Sequence, residues 1–162
     1  TITEQEQDEA LHRLYAYWTP SKRISTSLEY IYDDYEREYD PAKGSLIRPA
    51  NLTTQSLPLK FNYFHPNGWY ASLLATYVKQ DVDFVNGSTQ TLDSFDDNFF
   101  ITDLNIGYRL KSKRGKISLG IKNLFDTDFE YSNIYHDSIS IFPAPIQYYP
   151  DRFIFTNLQL YF

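Results

Sequence analysis

Apolar and polar residues alternate along most of this chain, and the alternation is most regular over its last residues. One side of an extended chain carries Ile154, Thr156, Leu158, Leu160 and Phe162. The other side carries Asn157 and Gln159, with Phe155 and Tyr161. Successive side chains of a β-strand point to opposite faces of a sheet, so a period of two predicts a strand that separates two different environments. The final segment is therefore predicted to be such a strand.

The same period recurs upstream and gives seven predicted strands: residues 11–18, 24–32, 57–63, 69–77, 102–110, 116–124 and 154–162. The first strand has an alternative, because Ala10, Leu11, Leu14, Tyr15 and Trp18 also have helical spacing. Residues 6–18 contain good helix formers, so a surface helix is an alternative prediction for this segment. The turn-like residues 18–22, followed by a strand, favour a hairpin instead.

The links between the predicted strands alternate between short and long. Residues 19–22, 65–68 and 111–115 form short links, whereas residues 33–54, the region around residues 86–87 and residues 131–151 form long ones. Transmembrane barrels have short periplasmic turns and long extracellular loops. Asn86-Gly87 is a hairpin signal, so strands four and five are expected to continue beyond the bilayer. The sequence therefore predicts an all-β, antiparallel, up-and-down transmembrane β-barrel segment.

Aromatic residues stand at strand ends beside the short links: Trp18, Tyr63, Phe64, Trp69, Tyr70 and Phe162. Such rings belong at a lipid–water interface, where the ring is buried and a polar tip stays in water. A soluble sheet with one buried face also alternates. A soluble β-sandwich binding module is therefore an alternative.

Composition excludes other classes of protein. Aromatic residues are 18% of the chain, which is too many for a disordered segment. The mean hydropathy is −0.49, and the longest nearly apolar stretch, residues 69–78, is shorter than the roughly 20 residues of a transmembrane helix. A net charge of −6 argues against a nucleic-acid partner. With no cysteine, the chain has no disulfide framework and no thiolate metal site.

The region of residues 115–162 carries a specific set of motifs. An alternating strand ends in Asn123, Leu124, Phe125 and Asp126, and Pro150-Asp151-Arg152 precedes the last strand. In this order, at the end of a chain, these motifs resemble the C-terminal region of TonB-dependent outer-membrane receptors. Ile154, Leu158, Leu160 and Phe162 resemble the C-terminal signal that the barrel assembly machinery recognises.

The resemblance implies that residues 1–162 are the C-terminal part of a barrel in the bacterial cell outer membrane. That family has about 22 strands around a plugged lumen, so the plug and the upstream strands are expected from a longer precursor. Its members take up a nutrient such as a metal chelate, vitamin or glycan. The implied partners are the rest of the barrel, the plug, TonB through the plug, outer-membrane lipid and lipopolysaccharide. An anchor or assembly subunit without transport is an alternative.

Candidate chemistry is sparse. The sequence has no nucleophile motif, no glycine-rich phosphate loop and no paired histidine spacing, so we expect neither enzyme activity nor a cofactor. Polar residues of the alternating strands are predicted to line the lumen and to bond a plug or water: Glu29, Lys60, Asn62, Asp103, Asn105, Arg109, Lys122, Asn157 and Gln159.

Three residues of the predicted extracellular loops are candidates for ligand contact: Asp81, Asp83 and His136. Acidic residues gather in these loops, where they would suit Ca²⁺, but a solvated loop that avoids aggregation is the favoured explanation, and no metal site is assigned. Residues 142–145 read Phe-Pro-Ala-Pro. In haem receptors of the family that this chain resembles, the second residue of this motif is arginine. Proline stands there in this chain, so haem binding is not expected.

Overall fold

The computed structural model describes residues 7–37, 49–85, 92–111, 114–132 and 148–161. They form one antiparallel sheet of seven strands whose spatial order follows the chain. The strands are β1 (Gln7–Ser21), β2 (Ile24–Arg37), β3 (Pro49–Phe64), β4 (Trp69–Val85), β5 (Leu92–Arg109), β6 (Gly115–Lys122) and β7 (Phe153–Leu160). The predicted all-β, up-and-down arrangement of seven strands is confirmed. The sheet is not closed, because β1 and β7 do not pair with each other in the part described.

Short turns follow β1, β3 and β5 at one end of the sheet, which we call the turn end; the other is the loop end. In the turn after β3, the N–H of His65 donates to the carbonyl of Trp69 at 2.8 Å, and the N–H of Gly68 donates to that of His65 at 3.0 Å. Gly68 has φ +96°, and a Cβ there would lie 2.9 Å from the carbonyl oxygen of Arg109. Only glycine meets both conditions without strain.

The first segment is a strand, and the helical alternative for residues 6–18 is wrong for its described part. β1 pairs with β2 from Gln7, opposite Arg37, to Ser21, opposite Ile24. This long ladder satisfies the backbone on one side of β1, which outweighs a modest helical propensity. β1 is an edge strand, and all of its residues are exposed.

Five strands, β1 to β5, are longer than the alternation predicted. Residues 33–37 belong to β2 and residues 49–54 to β3, so the long link predicted over 33–54 is wrong at both ends. The predicted continuation of strands four and five toward residues 86–87 is confirmed, because β4 reaches Val85 and β5 begins at Leu92. Asp81 and Asp83 therefore belong to β4 rather than to a loop. Polar side chains of these extended parts bond across the strands: Thr53 Oγ1 donates to Asp34 Oδ1 at 2.7 Å, and Asn51 Nδ2 donates to Asp83 Oδ2 at 3.3 Å.

The two faces of the sheet differ, and each is named here by its residues. The front face carries Leu28, Leu59 and Leu73, and the back face carries Glu29 and Lys60. Among the described residues, the buried apolar side chains lie on the back face toward the loop end, most of them in two clusters. One contains Tyr35, Leu52 and Val82 with Phe84 and Phe95; the other contains Val78, Phe99 and Ile101 with Phe129, Tyr131 and Tyr148. No helix long and apolar enough to cross a membrane occurs in the described residues.

Candidate functional site

The front face is a continuous apolar surface toward the turn end, and it is exposed. Cross-strand pairs continue it from strand to strand: Leu28 lies opposite Leu59, and Leu73 lies opposite Leu104. Trp18 is 66% exposed and Leu158 is 60% exposed. The exposed large apolar residues of this face are Leu14, Trp18, Leu28, Tyr30, Leu57, Leu59, Phe61, Trp69, Leu73, Tyr77, Phe100, Ile106, Ile117, Leu119, Ile154, Leu158 and Leu160.

Aromatic residues border this surface on both sides. Toward the turn end stand Trp18, Tyr63, Trp69 and Tyr108, and the rings of Trp69 and Tyr108 are 5.1 Å apart. Toward the loop end stand Tyr30, Tyr77 and Phe100. Along β4 the surface runs from Trp69 to Tyr77, a distance of about 27 Å at the usual rise of a strand. We call this surface the apolar band.

Beyond the apolar band the front face becomes polar on every long strand. In β4 the next front-face residues are Lys79, Asp81 and Asp83. Lys79 Nζ lies 3.2 Å from Asp81 Oδ2, and Asp81 stands opposite Asp96 of β5. At the same level the back face becomes apolar and holds the two buried clusters. The polarity of the two faces therefore inverts at Tyr77 and Val78.

The structure places all nine residues predicted to line a lumen on the back face, opposite the apolar band. Four of them, Glu29, Asn62, Asp103 and Lys122, form polar contacts there. Arg13 Nη2 lies 2.6 Å from Glu29 Oε2, and Lys122 Nζ lies 2.7 Å from Asp103 Oδ2. Asn62 Nδ2 donates to Ser25 Oγ at 3.2 Å. The back face toward the turn end is thus charged and hydrogen-bonded, which no apolar core could accommodate.

Part of this back face is concave. A cavity of about 180 Å³ is lined by Lys60, Ser72, Leu74, Asp103, Leu104, Asn105, Ile121, Lys122 and Phe155. Asn105 Oδ1 is buried and accepts no hydrogen bond from any residue that the structure describes. An unpaired buried acceptor is costly, so the cavity favours a partner that donates a hydrogen bond. Arg109, at the turn end of β5, lies with its guanidinium carbon 5.3 Å from the centre of the Phe64 ring.

Gln80 is a buried polar residue that sequence reasoning missed. Its side chain is 0% exposed. Its Nε2 donates to Thr54 Oγ1 and to the carbonyl of Ser132, both at 2.9 Å, and its Oε1 accepts from the N–H of Ser132 at 2.7 Å. Its one sequence signal is its place between Val78 and Val82 on an otherwise apolar face. Gln80 fixes residues 127–132, which we call the back-face segment, to β4.

Aromatic packing fixes the same segment. The rings of Phe99 and Phe129 are stacked with centroids 4.1 Å apart, and Tyr131 meets Tyr148 edge-on at 5.0 Å. Burial raises the pKa of the Tyr131 hydroxyl above its ordinary value, with smaller contributions from Tyr148 and Asp33. The described ends of the link between β6 and β7 therefore lie against the back face.

The Asn-Leu-Phe-Asp motif is a turn, and the strand predicted to reach residue 124 ends at Lys122. Asn123 and Asp126 have φ values of 47° and 58°, a region that asparagine and aspartate tolerate better than most residues. Asn123 is 0% exposed. Its Nδ2 donates to the carbonyls of Thr127, Tyr149 and Pro150 at 2.9, 3.3 and 3.0 Å, and its Oδ1 accepts from the N–H of Thr127 at 2.9 Å.

Asp126, the second polar residue of the motif, binds the residues that lead into β7. The N–H of Arg152 donates to Asp126 Oδ1 at 2.8 Å, and Arg152 Nη2 lies 3.8 Å from Asp126 Oδ2. The carbonyl of Thr102 in β5 accepts from the N–H of Leu124 at 2.7 Å. The motif thus joins β5, β6, the back-face segment and the start of β7, whereas Phe125 is 68% exposed.

The remaining predicted site residues are placed as follows. Ile154, Leu158 and Leu160 lie on the front face of β7, and Asp81 and Asp83 lie on the front face of β4. His136 and Phe162 fall outside the described residues, as do residues 86–87 and the Phe-Pro-Ala-Pro sequence. The described residues contain no group of three or more His, Asp or Glu side chains that is arranged to hold a metal ion.

Comparison of the chain with models of protein families, with curated proteins and with solved structures gives no match.

Proposed function

We propose that this chain is a section of an outer-membrane β-barrel of the TonB-dependent receptor type, with its turn end in the periplasm and its back face toward the lumen. The observation that carries the proposal is the inversion of the two faces between Tyr77 and Val78. On the turn-end side, apolar groups face outward and charges face inward. On the loop-end side, charges face outward and apolar groups face inward. A bilayer around the turn-end part and water around the loop-end part match these two arrangements.

The width of the apolar band supports a bilayer as its environment. β4 crosses the band from Trp69 to Tyr77, and a transmembrane strand needs about 9–11 residues when tilted. Tryptophan and tyrosine at both borders match the aromatic girdles of membrane barrels. Strands that continue beyond the band fit a barrel that projects into water.

A soluble β-sandwich accounts less well for the same faces. A sandwich requires a second layer over an apolar face, and the described residues supply none over the apolar band. Soluble monomers rarely expose an apolar patch larger than a few hundred Å². The back face would also be a poor core toward the turn end, because Lys60, Asp103 and Lys122 lie there.

The sheet needs other strands to complete it. The free sides of β1 and β7 present backbone N–H and C=O groups, which lipid cannot satisfy. A closed barrel removes both edges. In our proposal, upstream strands of the same precursor pair with β1 and β7, and the barrel assembly machinery inserts the product through the terminal apolar residues.

The transport function is supported by the motif turn at Asn123 and Asp126 and by the polar back face. In a receptor of this type, the polar back face contacts a plug, and the cavity with the open acceptor of Asn105 receives a donor from it. The proposed activity is uptake of a metal chelate, vitamin or glycan, driven through TonB.

Membrane insertion is tested with the native full-length protein by carbonate extraction and by flotation with vesicles. We expect the protein to require detergent for release; release by carbonate alone would exclude the proposal. A matched pair of variants sharpens the test. Leu73→Arg places a charge in the apolar band and should cost about 2–4 kcal/mol near the bilayer centre, whereas Ser72→Arg, its neighbour on the back face, should insert normally.

Transport is tested separately in the source bacterium. A strain that lacks the protein is grown with single iron chelates, cobalamins or glycans as the limiting nutrient. We expect a growth defect on one of them, and the same defect in cells that lack TonB. Normal growth on every nutrient would favour an anchor without transport.

A further inference from the structure

Charge is segregated along the strands of this protein. The three hairpin ends at the turn end, cut at one level of the sheet, are residues 18–26, 61–73 and 104–121. They contain seven of the 15 basic residues and none of the 21 acidic residues. The seven are Lys22, Arg23, Arg109, Lys111, Lys113, Arg114 and Lys116. A chain with a net charge of −6 therefore has one strongly positive end.

Among the described residues, four of these cations stand in the turns themselves: Lys22 and Arg23 between β1 and β2, and Lys111 and Arg114 between β5 and β6. All four are exposed. None of them forms an ion pair within the described part of the chain. We call these four residues the basic collar.

The basic collar adjoins the aromatic border of the apolar band. Trp18 precedes the first turn, and Tyr108 precedes the second, where its ring lies 5.1 Å from that of Trp69. Tryptophan and tyrosine settle at the depth of lipid headgroups. Long basic side chains beside them extend their charges toward the same layer while their methylene groups cover apolar surface.

We propose that the basic collar binds the phosphate groups of anionic phospholipids in the leaflet that faces the turn end. This inference rests on the proposed membrane function and adds the lipid class to it. Charge complementarity favours an anionic layer over a neutral one. The two turns are separated by β3 and β4, which puts them roughly 14 Å apart across the sheet, so they fit a continuous lipid layer better than one small acidic protein surface.

The proposal is tested with the native full-length protein reconstituted in phosphatidylcholine vesicles that contain either brominated phosphatidylglycerol or brominated phosphatidylcholine. Bromine quenches nearby tryptophan, and Trp18 and Trp69 both lie beside the basic collar. The measured quantity is the preference of the protein for phosphatidylglycerol. We expect a preference of about fivefold, the equivalent of one favourable cation contact. The preference should decline with salt, because the Debye length falls from about 10 Å at 0.1 M to about 3 Å at 1 M.

The variant K22Q/R23Q/K111Q/R114Q should lose this preference while still inserting. A matched pair of single variants locates the effect: R114Q should reduce the preference, and K79Q, which removes a charge at the loop end, should leave it unchanged. No preference in the inserted parent protein, or an equal preference in the fourfold variant, would overturn the proposal and would leave an acidic protein as the partner of this end. Failure of the parent to insert at all would count against the membrane function itself.

Discussion

Gln80 of β4 bonds both backbone polar groups of Ser132, donating to its carbonyl at 2.9 Å and accepting from its N–H at 2.7 Å. The side-chain amide thus makes the two hydrogen bonds that the backbone of a neighbouring strand would otherwise make. It joins residues 52 positions apart and attaches the back-face segment to the sheet. Since Gln80 also donates to Thr54, the same amide connects β3, β4 and the segment.

The first prediction concerns this amide. Gln80→Leu keeps most of the volume but leaves both backbone groups of Ser132 without their partner, which costs about 1–3 kcal/mol for each unsatisfied group. We expect residues 128–132 to lose most of their protection from hydrogen exchange, while the strands keep theirs. Gln55→Leu is the control, because Gln55 lies on the front face and accepts a single bond from Tyr30 at 3.2 Å. Unchanged exchange at residues 128–132 in Gln80→Leu would contradict the role given to Gln80.

Long-range contacts such as those of Gln80 explain which parts of the structure could not be predicted from the sequence. Strands and short turns follow from a local pattern: alternation fixes the faces, and Gly68 with its neighbours fixes a hairpin. The back-face segment depends on Gln80 and Phe99, which lie far away in sequence. Nothing in residues 127–132 alone indicates where they pack.

The alternation alone does not indicate the upper parts of the strands, for a different reason. In β4 the alternating apolar positions are Leu73, Ala75 and Tyr77, and then Val78 and Val82. The hydrophobic pattern changes phase by one residue where the polarity of the faces inverts. One unbroken period ends at that point, so the alternation places Asp81 and Asp83 in a loop. The turn signal at residues 86–87 is what predicts that their strand continues.

The second prediction concerns the stacked rings of Phe99 and Phe129, 4.1 Å apart. A double-mutant cycle with Phe99→Leu and Phe129→Leu should give a coupling energy of about 0.5–1.5 kcal/mol, measured as the free energy of local opening by hydrogen exchange. Phe125→Leu combined with Phe99→Leu is the comparison, because Phe125 is exposed. Its coupling should be near zero. Additive effects of Phe99→Leu and Phe129→Leu would mean that the stacked contact does not hold the segment.

The third prediction is a pH dependence that comes from Tyr131. Burial raises the pKa of this hydroxyl above its ordinary value of 10, so the folded state holds the proton more tightly than the unfolded one. The stabilisation is therefore fully present below pH 10 and decreases as the pH rises toward the folded pKa. We expect the back-face segment to open progressively above pH 10, measured by its susceptibility to protease.

The variant Tyr131→Phe tests the assignment. It retains the ring packing against Tyr148 and removes the titrating group, so the alkaline opening should weaken or disappear. In parallel, the difference in phenolate absorbance between the parent and Tyr131→Phe should show a group that ionises above pH 10. A difference spectrum that titrates at or below pH 10 would show that Tyr131 is not buried as described.

The fourth prediction separates the two demands on Asn123, a left-handed backbone and four side-chain hydrogen bonds. Asn123→Gly meets the backbone demand but leaves three carbonyls and one N–H without the partner they have now. Asn123→Ala adds strain of about 1 kcal/mol, because alanine disfavours positive φ. Both variants should therefore loosen the link between β6 and β7, with alanine the worse of the two. The measurement is hydrogen exchange at Thr127 and Arg152.

Asn123→Asp distinguishes the hydrogen bonds from simple volume. Aspartate retains an acceptor for the N–H of Thr127, but its second oxygen would face the carbonyls of Thr127, Tyr149 and Pro150, which now accept from the amide. A carboxylate there repels all three, whereas a protonated carboxyl donates to one. We therefore expect Asn123→Asp to be more damaging than Asn123→Gly at pH 8 and to recover in part at pH 4. Equal behaviour at both pH values would show that the three carbonyls do not depend on a donor at residue 123.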